Sequence, residues 1–307
     1  MIIKTHLRNT TIKALCESMT VQTMVKLARE CIPDYNLHTQ TGFPASISIP
    51  TADAAKQIVE DICRYKLFPQ FVQLLIRAQN IGFKGRKYPI AYLSYIIHGI
   101  QTHGYVFDSE KNMFIEDPRR HKSSNWGVLR EGVEYNMTFL RFDISGNSRL
   151  VRSYPEKKIK KAYQDLFSII TAAVEKRNGR VWNLQGDGGL LAFCFFKKDL
   201  SAVLAAVESL HELFLYNKNG CPLQEGLKVR FAVHAGVYIY NTNMEALKKN
   251  ETIKELIEME NKFTTPNSIT ISNKVFISLD KRIADLFEPL AQRSHNTLFG
   301  YALELEL

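Results

Sequence analysis

Long apolar runs are missing from this 307-residue sequence. The most apolar stretches, Phe71 to Ile76 and Ile90 to Ile100, are short and broken by polar residues. A bilayer-spanning helix needs roughly 20 apolar residues in succession, so no membrane span is expected. The opening Met1 to Arg8 has neither an apolar core nor a small-residue cleavage site, which argues against a signal peptide and leaves the cytoplasm as the expected location. Cysteine is sparse. Cys16, Cys31, Cys63, Cys194 and Cys221 are odd in number and form no C-x-x-C pair, so neither a zinc ribbon nor a disulfide framework is expected. Internal repeats and low-complexity tracts are also lacking. Positive charge is in excess, at 40 Lys and Arg against 31 Asp and Glu, but it is spread through both halves. Its densest run, Lys157 to Lys161, falls on an amphipathic helix and reads equally well as a solvated face. A nucleic-acid partner is therefore not favoured, and the same charge suits a nucleoside triphosphate.

What is present divides into two patterns. Residues 9 to about 104 have helical periodicity: Thr20 to Ala28, Ala54 to Tyr65, Phe68 to Ala78 and Tyr88 to Gly99 each carry an apolar stripe. Thr51-Ala52-Asp53 resembles a helix cap, and Thr41 to Pro44 and Gly82 to Gly85 are turn-forming. This predicts a small all-α domain over 1–104. Residues 105–134 are polar and turn-rich, as expected of a linker. From 135 to 307, strands and helices interleave, giving α+β architecture with a sheet covered by helices. The expected elements are strand Met137 to Phe142, helix Pro155 to Arg177, two strands within Arg180 to Phe196, and helix Asp199 to Tyr216. Strand Leu227 to Tyr240, helix Thr252 to Phe263 and strand Ser268 to Ser272 follow.

Two acidic residues stand out by their neighbours. Asp143 ends an apolar strand and is followed by Ile144-Ser145-Gly146-Asn147-Ser148. Asp187 lies in a tight turn between Gly186 and Gly188-Gly189. The segment between them is long enough to bring their strands side by side, so that both carboxylates point to one spot above the sheet edge. Magnesium favours a few carboxylates completed by water and phosphate oxygens, and a pair of ions at such a site can activate a hydroxyl and hold a leaving pyrophosphate. Glycines beside Asp187 permit close backbone approach, and Ser145 to Ser148 offers amides to phosphate. The bland alternative stays open on these residues alone: an Asp at a strand end is commonly a turn or cap residue, and G-D-G-G a common hairpin turn.

Three ordered segments, Phe142 to Ser148, Gly186-Asp187-Gly188 and Val229 to Gly236, resemble the signatures of class III adenylate/guanylate cyclase domains. The resemblance runs from about Tyr135 to Leu279. It implies a ferredoxin-like core preceded by the helical domain, and a homodimer with active sites at the interface. It also implies two Mg²⁺ or Mn²⁺ ions held by Asp143, Asp187 and the Ile144 carbonyl, and conversion of a nucleoside triphosphate to a 3′,5′-cyclic nucleotide and pyrophosphate. The departures are specific. Asn183 stands where adenylate cyclases carry a base-reading Lys, and Lys254 and Glu258 stand where an Asn and an Arg stabilise the transition state. With these replacements the chain is similar to the divergent cyclases of bacterial Pycsar antiphage systems, which make cyclic UMP or cyclic CMP. UTP or CTP is then expected ahead of ATP. Asn183, Lys254 and the Ser145, Gly146, Asn147 and Ser148 loop are the candidate substrate contacts.

The replacements equally allow a degenerate cyclase fold that binds nucleotide or dimerises. His234 reads as a structural strand histidine and Trp182 as core. Arg149 and Arg152 follow the loop, either near phosphate or on an ordinary helix surface. The helical region is open between an adaptor that docks a partner and a support for the dimer.

Overall fold

A computed structural model describes the chain except residues 1–2, 121–122, 196, 242, 244–246, 248, 294–295 and 304–307. It falls into two compact units, Met1–Arg120 and His121–Leu307.

The first unit packs α1 (Thr5–Ser18), α2 (Val21–Cys31), α3 (Leu37–Thr41), α4 (Thr51–Arg64), α5 (Phe68–Asn80) and α6 (Leu93–Gln101) around one apolar core. The stripe predicted for α4 is its inner face: Ile58, Val59 and Ile62 are fully buried. Pro50, not Thr51, precedes the first turn of α4, and no side chain caps it. The buried Asp61 carboxylate accepts hydrogen bonds from the Tyr35 hydroxyl at 2.8 Å and from Gln57 Nε2, which meets the desolvation cost of a charge in the core. A cavity of about 630 Å³ beside α2 is lined by apolar Val21, Val25, Leu37 and Ile49 and basic Lys26, Arg29 and His38. This unit is not all helix. The segment read as a linker begins with an antiparallel hairpin, β1 (Tyr105–Asp108) and β2 (Met113–Glu116), with Phe114 in the helical core. Its alternating apolar residues were outweighed in the sequence by the polar turn between them.

The rest of that segment belongs to the second unit. Trp126 is fully buried, its indole N–H donates to the Asn178 carbonyl at 2.7 Å, and the Arg180 guanidinium lies 5.0 Å from its ring centre. Arg180, itself buried, also donates to the carbonyls of Ser123 and Gly179. Residues 123–133 are thereby strapped to the domain edge.

The second unit is built on β3 (Glu134–Ile144), α7 (Asn147–Ser153), α8 (Glu156–Glu175), β4 (Arg180–Gln185), β5 (Gly188–Phe193), α9 (Lys198–Asn219), β6 (Val229–Ile239), α10 (Glu251–Phe263) and β7 (Ser268–Ser272). Short helices Asn273–Phe276 and Lys281–Ala284 lead to β8 (Glu288–Arg293) and β9 (Asn296–Ala302). The sheet order is β4-β5-β3-β6-β7-β9-β8, and within the first four strands each neighbouring pair is antiparallel. β3-α8-β4-β5-α9-β6 is thus a βαββαβ unit, the ferredoxin-like arrangement expected of the α+β half. β8 and β9 extend the sheet beyond what the sequence pattern indicated.

Strand alternation separates two covered faces. Leu140, Phe142 and Ile144 of β3, with Val229, Phe231 and Val233 of β6, pack in one core with the apolar stripes of α8 and α9. The other face carries Phe139, Arg141 and Asp143 of β3 with Arg230 and His234 of β6, and α10 lies against both strands. Truncating Trp126 to Ala should cost the second unit about 3–5 kcal/mol, as for other fully buried aromatic side chains. Urea denaturation measures this, and a loss below about 1 kcal/mol would mean that the strap is dispensable.

Candidate active site

Asp143 and Asp187 are brought together by strand register. Asp143 pairs across β5 with Gly188, the residue that follows Asp187. Gln185 opposite Gly188 closes a two-residue turn over Gly186 and Asp187, and Gly186 has φ +65°, a positive value suited to the first position of a tight hairpin turn. The Ile144 amide then donates to the Asp187 carbonyl at 3.0 Å, tying the loop after β3 to the turn after β4. A side chain at Gly188 would put its Cβ 2.6 Å from the Phe142 carbonyl and 3.4 Å from Asp143 Oδ1. Only glycine lets the turn close this tightly on the carboxylate.

Protein groups already engage both carboxylates. Asn147 Nδ2 donates to Asp187 Oδ2 at 2.6 Å, and the Tyr163 hydroxyl donates to Asn147 Oδ1. Burial raises the Tyr163 pKa, and the negative charges of Asp187 and then Asp143 raise it further, so both carboxylates act on one hydroxyl. On the α10 side, Arg230 Nη2 donates to Asp143 Oδ2 at 2.5 Å. The same nitrogen lies 2.7 Å from Oε1 of Glu260, whose side chain is 0% exposed. Arg141 Nε reaches Glu260 Oε2 at 3.3 Å. Burial foremost lifts the Glu260 pKa, with Asp143 adding to it and the two arginines opposing.

The other candidate residues divide. Asn183 pairs with Leu190, which pairs with Arg141, so it sits in the cross-strand row of Arg141, two residues from that of Asp143. The strand carrying it is not regular. A register shift between Val181 and Asn183 leaves Trp182 as the extra residue of a β-bulge. Trp182 packs against the rings of Phe139, Tyr238 and Tyr240 and donates its indole N–H to the Ser124 carbonyl. The Ser145 amide, expected to be offered to phosphate, is taken by the Lys228 carbonyl at 2.8 Å. Gly146, with φ +73°, precedes α7, and Asn147 and Ser148 are its first residues. Arg149 pairs with Glu225 on the surface, and Arg152 is exposed.

Lys254 and Glu258 lie one turn apart on α10. Lys254 is about half exposed and bound to Glu251, and Glu258 is bound to Lys262. Neither meets Asp143 or Asp187 of its own chain in any contact described. The charged residue of α10 that does turn inward is Glu260, which the sequence reading passed over. Its position was the available signal: a carboxylate among the buried Ile253, Leu256 and Met259 is costly unless cations face it, and Arg230 and Arg141 have the strand parity to do so.

Among the described residues no three His, Cys, Asp or Glu side chains converge as a ready-made metal cage. The site offers instead two hard carboxylates at one sheet end, with a glycine leaving space against one of them. That donor set fits a cation that keeps water and takes further oxygens from a bound phosphate.

No family model matches the sequence, and no curated protein matches it. Solved structures do. The chain is similar to the guanylyl cyclase Cya2, with 18% identity, 56% of this chain and 93% of that one covered, and a TM-score of 0.47. It is similar to the guanylyl cyclase domain of the RhoGC fusion protein from the aquatic fungus Blastocladiella emersonii at 15%, over 58% and 100%, with a TM-score of 0.46. It is also similar to an adenylate/guanylate cyclase/hydrolase from Silicibacter pomeroyi at 18%, over 56% and 99%, again with a TM-score of 0.46. At identities and scores this low, no residue role follows from these likenesses. No described helix is long and apolar enough to cross a membrane.

His234 is structural in its surroundings. It is 3% exposed, and burial together with the Lys274 ammonium lowers its pKa from 6.5 to about 4, although Glu255 Oε2 lies 3.1 Å away. A histidine held neutral in the fold contributes its full stability above pH 6.5, where the unfolded chain is neutral too. As pH falls from 6.5 to 4 the unfolded state takes up a proton that the folded state refuses, and up to about 3 kcal/mol is lost. Urea midpoints of the wild type and His234→Gln across that range check this: the wild type should lose more stability than the variant.

Proposed function

We propose that the second unit is a nucleotidyl cyclase, converting a nucleoside triphosphate to a 3′,5′-cyclic nucleotide and pyrophosphate. The observation that carries this reading is the convergence of Asp143 and Asp187 at one sheet end through the Asp143–Gly188 register and the Ile144–Asp187 hydrogen bond. Asp143, Asp187 and the Ile144 carbonyl are the groups to hold two Mg²⁺ or Mn²⁺ ions. When bound, such ions supply charge neutralisation of the triphosphate and acidify the attacking ribose hydroxyl. The chain's own part is positioning: Asn147 and Tyr163 hold the Asp187 carboxylate, and Gly188 keeps the space beside Asp143 clear.

Asn183, with a donor and an acceptor in the cross-strand row of Arg141, two residues from that of Asp143, is proposed to read the base. Together with the motif resemblance this favours UTP or CTP over ATP, and a cyclic pyrimidine messenger in bacterial antiphage defence. Lys254, exposed on α10 and paired with Glu251, is proposed to act across an interface, with a homodimer as the working form. In the helical unit, the cavity with Lys26, Arg29 and His38 suits a partner that presents acidic groups. Two observations favour the other reading, a module that binds nucleotide or dimerises without turnover. Glu258 lacks the positive charge expected at its place, and Lys254 is held by Glu251.

Incubation with each of the four triphosphates and Mn²⁺ tests the proposal. Cyclic product should form from UTP or CTP, and Asp143→Ala or Asp187→Ala should lower the rate about a hundredfold or more. Triphosphate binding with no cyclic product from any base would establish the non-catalytic module instead.

A further inference from the structure

We propose that Glu260 is a positioning residue that receives the Arg230 guanidinium when a cation occupies Asp143. The proposal rests on the metal-binding reading of Asp143 above. One nitrogen of Arg230 is shared between two carboxylates, at 2.5 Å from Asp143 Oδ2 and 2.7 Å from Glu260 Oε1. A guanidinium that close to Asp143 Oδ2 competes directly with any cation for that oxygen.

The structure also holds the means of relieving that competition. Arg230 Nε is buried with no hydrogen-bond acceptor, and Glu260 Oε1 is buried with no well-aligned donor despite its closeness to Arg230. A small rotation of the guanidinium toward α10 would satisfy both in a two-point pair, Nε and Nη2 with the Glu260 oxygens, and free Asp143 Oδ2. Arg141 holds Glu260 from the other side and fixes the carboxylate as a target. Glu260 is fully buried and is, beside Asp143, the carboxylate paired with Arg230 in the contacts described. In its absence, Asp143 is the anion left for Arg230, and the guanidinium stays on it.

The test is Mn²⁺ binding to the full chain without nucleotide, read from the electron paramagnetic resonance signal of free Mn²⁺. Wild-type protein should bind Mn²⁺, and Asp143→Ala should weaken that binding. Glu260→Gln should raise the dissociation constant about 10- to 100-fold, the range for groups that orient a metal ligand. Glu260→Asp, which keeps the charge, should lose less and serves where Gln is not tolerated. A second readout follows Arg230 itself by ¹⁵N resonance. Mg²⁺ should shift the Arg230 Nε–H signal and slow its exchange in the wild type, and leave it unmoved in Glu260→Gln. Absence of wild-type Mn²⁺ binding would overturn the metal-site reading. Mn²⁺ binding that is unchanged by the Glu260 variants, or an Arg230 signal that ignores Mg²⁺, would overturn the role given to Glu260 and leave the metal site standing.

Discussion

The cross-strand row Gly188–Asp143–Arg230 is the constraint on which the site depends. It places one carboxylate between a residue with no side chain and a residue with a cation. The glycine admits the hairpin turn that carries Asp187, and the arginine neutralises Asp143 in a partly buried position. Shifting β3 by one residue against either neighbour would turn Asp143 toward the apolar core of α8 and α9, where an ionised carboxylate has no partner. Register, charge pairing and the apolar alternation of β3 and β6 therefore select the same arrangement.

The rest of the second unit supports that row. Phe142 and Ile144 anchor β3 from the α8–α9 side while Asp143 faces α10. On that side an alternating row of Phe139, Arg141 and Asp143 is covered by α10, whose only fully buried charge is Glu260. Two arginines and two carboxylates form a nearly neutral cluster beneath the helix. Removing one member of such a cluster leaves an uncompensated buried charge, a loss of about 3–5 kcal/mol in comparable cases. The network is thus both a structural requirement of α10 and the immediate electrostatic setting of Asp143.

Much of this was legible from local pattern. The strand and helix order after residue 135, and the positions of Asp143 and Asp187 at a strand end and a glycine turn, follow from period and turn chemistry. The errors have a common physical cause, which is pairing at long range. Arg230 alternates away from Val229 and Phe231 and so reads as solvent-facing, yet α10 covers that face too. The bulge at Trp182 changes the parity of β4 and is not encoded by any glycine or proline. The hairpin at Tyr105–Asp108 and Met113–Glu116 is too short and too polar at its turn to stand out from a linker, and Trp126 is met by residues more than 50 positions later in the chain, Asn178, Arg180 and Phe195. Lys254 and Glu258 share α10 with Glu260, and the fold shows that Lys254 is half exposed while Glu260 is fully buried.

The central claim is that Asp143 and Asp187 jointly hold a divalent cation. An anomalous difference map from crystals of the full chain grown with Mn²⁺ and a non-cyclisable triphosphate analogue addresses it directly. The account predicts a peak within bonding distance of both carboxylates. Density for the triphosphate with no Mn²⁺ peak, and Arg230 still on Asp143, would contradict it.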